Sequence, residues 1–344
     1  GATVQARIVW QLQLMTLRTH GHSWRSHAQL LGTTLVASGL GITDLSGLEY
    51  CTALVTLDLS VNSISAIDQL ALLTALQELN LGYPDPLSGA NNFPPTVTHA
   101  NDITDLSPLA GLPVLVYLNI GGNPNLTDIA VLNNVKTLFT LWMGFQTIAD
   151  FSPIGNQPNL TTFGARACSM DDADLAVLTG TTGLQAADLG QNQLTTLAPL
   201  ASDTQMTLLD ASENKIGDIA AVSGMTMLSG LLLDNNQIRD IQPLVDNPGL
   251  GGDDAIVLSG DPLNSNALCN QIPLVQARLT PGSGVLLFDG TCGSTAQLQV
   301  SQIGQGITDP AAGYYNYTVG NAADVTAWPA AGSGYAFDHW QGDV

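Results

Sequence analysis

LVTLDLSVNSISAIDQL, residues 54–70, returns in altered spelling as LQAADLGQNQLTTLAPL over 184–200 and LSGLLLDNNQIRDIQPL over 228–244. All three follow the frame L-x-x-L-x-L-x-x-N-x-I-x-x-I-x-x-L, with Ala187 in place of the second Leu and Leu194 and Leu197 in place of Ile in the second copy. Its second Leu recurs ten times, at Leu35, Leu57, Leu79, Leu118, Leu141, Phe163, Ala187, Leu209, Leu231 and Ile256, mostly 22 residues apart. The one large gap, between Leu79 and Leu118, holds an insert. A self-similarity of this length determines architecture ahead of local propensity, because one repeat cannot bury its apolar face without its neighbours.

In L-x-L the outer side chains point one way and the middle one the other, so each repeat contributes one short strand to a parallel sheet. The Asn three residues past the L-x-L (Asn62, Asn101, Asn123, Asn192, Asn214, Asn236) stands where the chain turns inward. Its amide can satisfy backbone groups of neighbouring turns. Gln146, Cys168 and Asp261 take that place in three repeats. A coil of about 22 residues leaves room on the far side for one short helical or 3-10 turn, with Ser107-Pro108, Ser152-Pro153 and Gln242-Pro243 as N-cap and N1 positions. The expected fold is an α/β leucine-rich repeat solenoid with a concave parallel sheet and a slender convex face. A small β-rich segment follows it.

Composition adds a setting. The 344 residues are 45% hydrophobic, and 29 acids against 8 bases give a formal charge of -21, which makes nucleic acid an unsuitable partner. Asp44, Asp105, Asp128, Asp150, Asp218 and Asp240 share one frame position, just before a convex apolar residue, where they can cap the turn. No apolar run approaches the roughly 18 residues of a membrane span. The remaining acid suits a secreted, soluble protein.

Three parts follow from the spelling. Residues 1–28, with Arg7, Arg18, Arg25, His20, His22 and His27 around IVWQLQLMTL, are read as an aberrant N-terminal segment or amphipathic cap. Residues 29–293 form the repeat domain with its C-terminal cap: Asp261-Pro262-Leu263, a helix over NALCNQIPLVQARL and a closing strand over VLLFDGTC. Residues 294–344 lose the frame and alternate strands with Gly and Pro; they are expected to continue beyond Val344. In an exported protein Cys269 and Cys292 are expected to form a disulfide. Cys51 and Cys168 point inward, five coils apart at roughly 4.8 Å each, and are expected to stay free thiols.

The repeats, the opening GITDLSGLEYCTALVTLDLSVNSIS and the cap resemble bacterial internalin-like leucine-rich repeat proteins over about residues 33–292. GQGIT, GNAADVTAWPA and GYAFDHWQGD in the tail resemble the divergent internalin B-repeat. The resemblance implies an extracellular or bacterial cell-surface binding protein, adhesin-like, with its ligand on the concave sheet. Residues 1–28 depart from the family's acidic, Pro-containing helical start, and no cell-wall sorting signal is present.

Catalytic spelling is missing: there is no H-E-x-x-H, G-x-S-x-G or G-x-x-x-x-G-K, and no Cys-His spacing for zinc. No enzyme, metal or cofactor is therefore expected. Asp171, Asp172 and Asp174 lack the Gly and final Glu of a calcium loop and read as a solvated convex bulge.

Function should lie where the scaffold does not dictate the residue. One concave column reads Asp58, Asn80, Asn119, Trp142, Gly164, Asp188, Asp210, Leu232; the next reads Ser60, Gly82, Gly121, Gly144, Arg166, Gly190, Ser212, Asp234. Trp142 is read as exposed above a glycine floor, with Tyr117 diagonal to it and Tyr83 and Phe145 nearby. It serves either aromatic packing across strands or a binding anchor together with Tyr117 and Arg166. Asp188 and Asp210 face each other one strand apart with Asp234 diagonal, a repulsion relieved by solvent, by a weakly bound cation or by a basic partner. The insert over 83–100 either borders the binding surface or is decoration. The expected partner is a protein or glycan at the concave face, bound by a monomer. Two further readings stand beside it, the targeting region of a larger secreted hydrolase and a structural surface-layer spacer.

Overall fold

The computed structural model describes residues 32–83 and 100–292, together with the backbone of four strands at 295–300, 306–309, 313–318 and 326–329. Eleven strands form one parallel sheet in chain order. They are β1 (Thr34–Val36), β2 (Thr56–Asp58), β3 (Glu78–Asn80), β4 (Tyr117–Asn119), β5 (Thr140–Trp142), β6 (Thr162–Gly164), β7 (Ala186–Asp188), β8 (Leu208–Asp210), β9 (Gly230–Leu232), β10 (Ala255–Leu258) and β11 (Val285–Phe288). The ten repeated apolar positions are in register, Leu35 beside Leu57 through to Leu231 beside Ile256. With the convex Leu and Ile they make one continuous core. The LRR solenoid predicted from the frame is the fold. The closing strand is its eleventh member, with Leu286 beside Ile256.

The turn-in position works through its amide. Asn192 Nδ2 donates to the carbonyls of Ala165 in the preceding coil (2.8 Å) and Leu189 in its own (2.9 Å), while its Oδ1 accepts from Cys168 N and Met170 N at 3.0 Å. Asn62, Asn101, Asn123, Asn214 and Asn236 repeat this bridging. In all of them one side chain satisfies backbone of two coils that would otherwise be buried unpaired. In several coils the preceding residue adopts a left-handed conformation to swing the amide inward, among them Ala167 (φ 54°), Gln191 (φ 57°), Glu213 (φ 55°) and, unusually for a β-branched residue, Val61 (φ 54°). Cys168 reproduces part of the bridge by donating from Sγ to the Met143 carbonyl at 3.0 Å.

The shared convex aspartates cap the turns. Asp44, Asp105, Asp128, Asp150, Asp218 and Asp240 each accept the backbone N–H two residues on, at 2.7–2.9 Å. Ser107 and Ser152 do not cap. They are the first helical residues, with Pro second, and each donates its hydroxyl to the Asp two residues before it. The carboxylate outcompetes the hydroxyl because it accepts both the N–H and the O–H, and these bonds hold Asp105 and Asp150 below the ordinary carboxylate range. Most turns are 3-10; α1 (Ser152–Gly155), α2 (Asp172–Leu175) and α3 (Gln242–Asp246) are short α-helices. The bulge read at Asp171-Asp172-Asp174 is instead a capping box that opens α2, closed by Asp171 and Asp174, while Asp172 accepts from Thr195 of the next coil.

The C-terminal cap is bonded to the last coils. Gln271, from the helical turn Ala267–Gln271 before α4 (Ile272–Gln276), accepts from Ile241 N at 3.0 Å and donates to Asp240 at 2.7 Å. The Arg278 guanidinium donates to the Val245 and Asn247 carbonyls, which α3 leaves unpaired at its end. Cys269 and Cys292 are disulfide-bonded, with Cα atoms 4.8 Å apart, which ties this helix to the end of β11. Cys51 and Cys168 are free and buried, and burial pushes their thiols up to about 11 and about 12. In the tail, β12 (Thr295–Val300) pairs antiparallel with β14 (Gly313–Thr318), and β13 (Gly306–Asp309) with β15 (Thr326–Pro329). The N-terminal cap expected over 1–28 and insert residues 84–99 lie outside the described residues.

Asp261, like Gln146 with its unpartnered buried Nε2, is an imperfect rung. Its Oδ1 accepts from Asn236 N and Ile238 N, but its buried Oδ2 occupies the place of an amide donor and has no partner. Burial pushes this carboxyl up to about 7. Since an unfolded Asp titrates near 3.9, the folded chain holds this proton more tightly between about pH 4 and 7. The group's contribution to stability therefore falls as pH rises through that window. Asp261→Asn, restoring the donor, is expected to raise the unfolding free energy at pH 8 by about 1–3 kcal/mol and to remove this part of the pH dependence, as read by urea denaturation at pH 5 and pH 8.

Candidate functional site on the concave face

The two columns read from the sequence lie in register on the concave sheet, but much of their chemistry serves the sheet. Asp58, Asn80, Asn119, Asp188 and Asp210 each accept from the backbone N–H two residues on, at 2.9–3.2 Å, and so close their strands. Trp142, Gly164 and Leu232 are the exceptions in that column.

The glycine floor is occupied by the chain itself. A Cβ on Gly164 would lie 1.9 Å from the Trp142 ring, one on Gly190 2.4 Å from the Arg166 guanidinium and one on Gly82 2.2 Å from the Asn119 amide oxygen. Trp142 is therefore not an exposed platform: it is 3% exposed, laid over Gly164, with its Nε1 buried and unpartnered. The expectation of an exposed anchor fails because the missing side chain on the adjacent strand provides a slot for the ring. Tyr83 and Phe145 meet edge to face at 5.8 Å beside it, and the Tyr83 ring fills the space over Gly122. Tyr117 is half-buried, between Glu78 and Thr140 in register.

Arg166 resolves the facing aspartates. Its Nε donates to Asp188 at 3.1 Å, and its Nη2 to Asp210 and to Ser212 Oγ, the latter at 3.4 Å. Neither solvent nor a foreign cation is needed between Asp188 and Asp210. Burial pushes the Asp188 carboxyl up, Arg166 draws it back and Asp210 pushes it up again, with a net rise. Burial works against the Arg166 charge, but the two carboxylates outweigh it and raise its pKa. Arg166 is thus an internal bridge over three strands. Asp234, diagonal to this group, is half-buried and accepts from the Asn235 side chain at 2.9 Å.

Towards the C-terminal end the character of the face changes. Leu208, Leu232 and Val257 are half-buried, while Val285 and Leu287 are 39% and 51% exposed. Register places Leu232, Val257 and Leu287 in one row and Gly230, Ala255 and Val285 in the row before it. Sequence reasoning missed this strip because aliphatic residues in so apolar a repeat are spelled like core. The available signal was Leu232, an aliphatic residue in a column of strand-closing Asp and Asn. Among the described residues no group of three or more His, Cys, Asp or Glu is arranged to hold a metal ion.

The architecture has solved counterparts. The internalin InlF of Listeria monocytogenes superposes with a TM-score of 0.63 at 26% identity, over 81% of this chain and 71% of that one. The leucine-rich repeat architecture is internalin-like. The functional domain of InlJ from the same organism (TM-score 0.51, 23% identity, 75% of this chain and 53% of that one) shares the internalin-like chain's fold. So does a leucine-rich repeat protein of Leptospira interrogans (0.54, 17%, 73% and 65%). No protein-family model and no curated protein matches the internalin-like sequence.

Two substitutions test the self-filled half. Trp142→Ala should lower the unfolding free energy by about 3 kcal/mol, against about 0.5 for a surface residue. Arg166→Met leaves Asp188 and Asp210 facing each other and should cost about 3–5 kcal/mol at pH 7.5. Because the folded-state pKa of Asp188 then stands further above its unfolded value, the Arg166→Met deficit should shrink as pH falls to 4.5. Urea denaturation at the two pH values reads both effects.

Proposed function

We propose that this chain is a non-enzymatic recognition module, secreted or held at a bacterial cell surface, that binds a protein through the concave face of its repeat array. The observation that carries the reading is Leu232 with its aliphatic neighbours: the scaffold asks for a strand-closing Asp or Asn at that column and the chain departs from it. Bulky aliphatic groups on an open sheet cost solubility unless another surface covers them. The structural likeness to InlF supports a place among surface recognition proteins, and a disulfide-tied cap suits an oxidising compartment.

A protein ligand is favoured over a glycan. An exposed aromatic plate on which a sugar ring could lie was expected at Trp142, and that ring is buried. Of the six residues expected to bind, Arg166, Asp188 and Asp210 hold one another, and Trp142 supports the sheet; Tyr117 and Asp234 remain as contacts. The spelling of the tail, with its two antiparallel ladders, supports reading it as a B-repeat-like module that follows the recognition domain.

Photo-crosslinking tests the face. A benzoylphenylalanine placed at Leu232 should form a discrete adduct with a surface protein from the native environment, whereas one at Leu72, 60% exposed on the convex side, should not. Adducts from Leu72 and none from Leu232 would move recognition to the convex face.

A further inference from the structure

The concave face is finished in its middle and unfinished at its end. Over β5–β8 the chain covers its own glycines with Trp142 and Arg166 and neutralises its own charges. Leu208 lies over Gly230 in the same way, and beyond it, over β9–β11, a strip of Leu232, Val257, Val285 and Leu287 is left without such cover among the described residues. The strip has carboxylates along both long edges. Asp234 and Asp289 stand past the ends of β9 and β11, and Asp253 and Asp254 stand before β10. Asp254 and Asp289 accept backbone N–H groups, from Gly251 at 2.8 Å and Gly260 at 2.7 Å, which fixes their positions but leaves their charge. Among the described residues the one guanidinium on this face, Arg166, is already held by Asp188 and Asp210.

From this arrangement we infer that the C-terminal half of the concave sheet is the docking surface for a cationic amphipathic helix of a protein partner. The inference rests on the concave-face reading above and adds the partner's chemistry to it. Three strands at about 4.8 Å spacing offer roughly 10 Å along the solenoid, nearly two helical turns of about 5.4 Å. A helix lying across the strands places its apolar stripe on the aliphatic row. Lys or Arg on its two flanks then meets carboxylates on either side, which is the complementarity that steers association and sets partner choice. An acidic helix would meet like charge on both flanks.

The test uses the full chain and three synthetic helical peptides of about 14 residues: Leu stripe with Lys flanks, Leu stripe with Glu flanks, and a Gln stripe with Lys flanks. Fluorescence anisotropy in 150 mM salt screens unspecific attraction to an acidic protein to within about 8 Å. The Lys/Leu peptide should bind at least about tenfold more tightly than either of the others. Leu232→Ser with Leu287→Ser, and separately Asp234→Asn with Asp289→Asn, should each weaken it about tenfold or more without a large change in melting temperature. The convex pair Asp128→Asn with Asp218→Asn, which removes the same charge, should change it less than about twofold. Equal weakening by the convex pair, or no weakening by the Leu pair, overturns the inference. If Tyr117→Ala weakens binding while the strip variants do not, the concave reading survives and the helix site falls. If no concave substitution matters, both fall.

Discussion

Everything in this solenoid depends on the fate of backbone polar groups where each coil turns inward. About 22 residues per coil give tight turns whose carbonyls and N–H groups lie inside the apolar column, beyond reach of water. One inward amide per coil, with two donors and an acceptor, serves its own coil and the preceding one. Because the bridge runs between coils, each coil is stable only with its neighbours, and the array behaves as a one-dimensional stack. The substitutes show what the position demands: Cys168 donates weakly, and Asp261 cannot donate once ionised.

That ladder leaves the concave side chains with little structural duty, so what they do is informative. Strand-closing Asp and Asn account for most of one column. Glycines opposite Trp142 and Arg166 account for the burial of those side chains, which turns a suspected ligand groove into packed surface. The Arg166 bridge sits where two aspartates would otherwise repel, and it shares its charge across three strands. Leu208 over Gly230 has the same account, but the aliphatic strip over β9–β11 has none from the scaffold.

The fold was legible because its determinants are periodic: every central strand residue, the inward amides and the convex aspartates could be assigned by frame position. The candidate site was only half legible. Column membership followed from register, but whether Trp142 stands up or lies down depends on its rotamer over Gly164, and frame position says nothing of rotamers. Arg166 was placed in the right column, yet its reach towards Asp188 and Asp210 follows from a guanidinium longer than one strand spacing, passing over Gly190. The N-cap assignment at Ser107 and Ser152 failed for a similar reason, since a better acceptor stood two residues earlier. The strip at Leu232, Val257 and Leu287 was overlooked because aliphatic residues in a repeat this apolar look like core until their face is known.

The central claim is that these aliphatic residues are on the concave sheet for a partner and not for stability. A proteolysis-based stability scan with Ser at each position compares neighbours within one strand. Leu231 and Ile256, fully buried, should lose about 3 kcal/mol or more. Leu232, Val257 and Leu287, one residue on, should lose no more than about 1 kcal/mol. Equal losses at both sets would show that the strip belongs to the core, and would contradict the account.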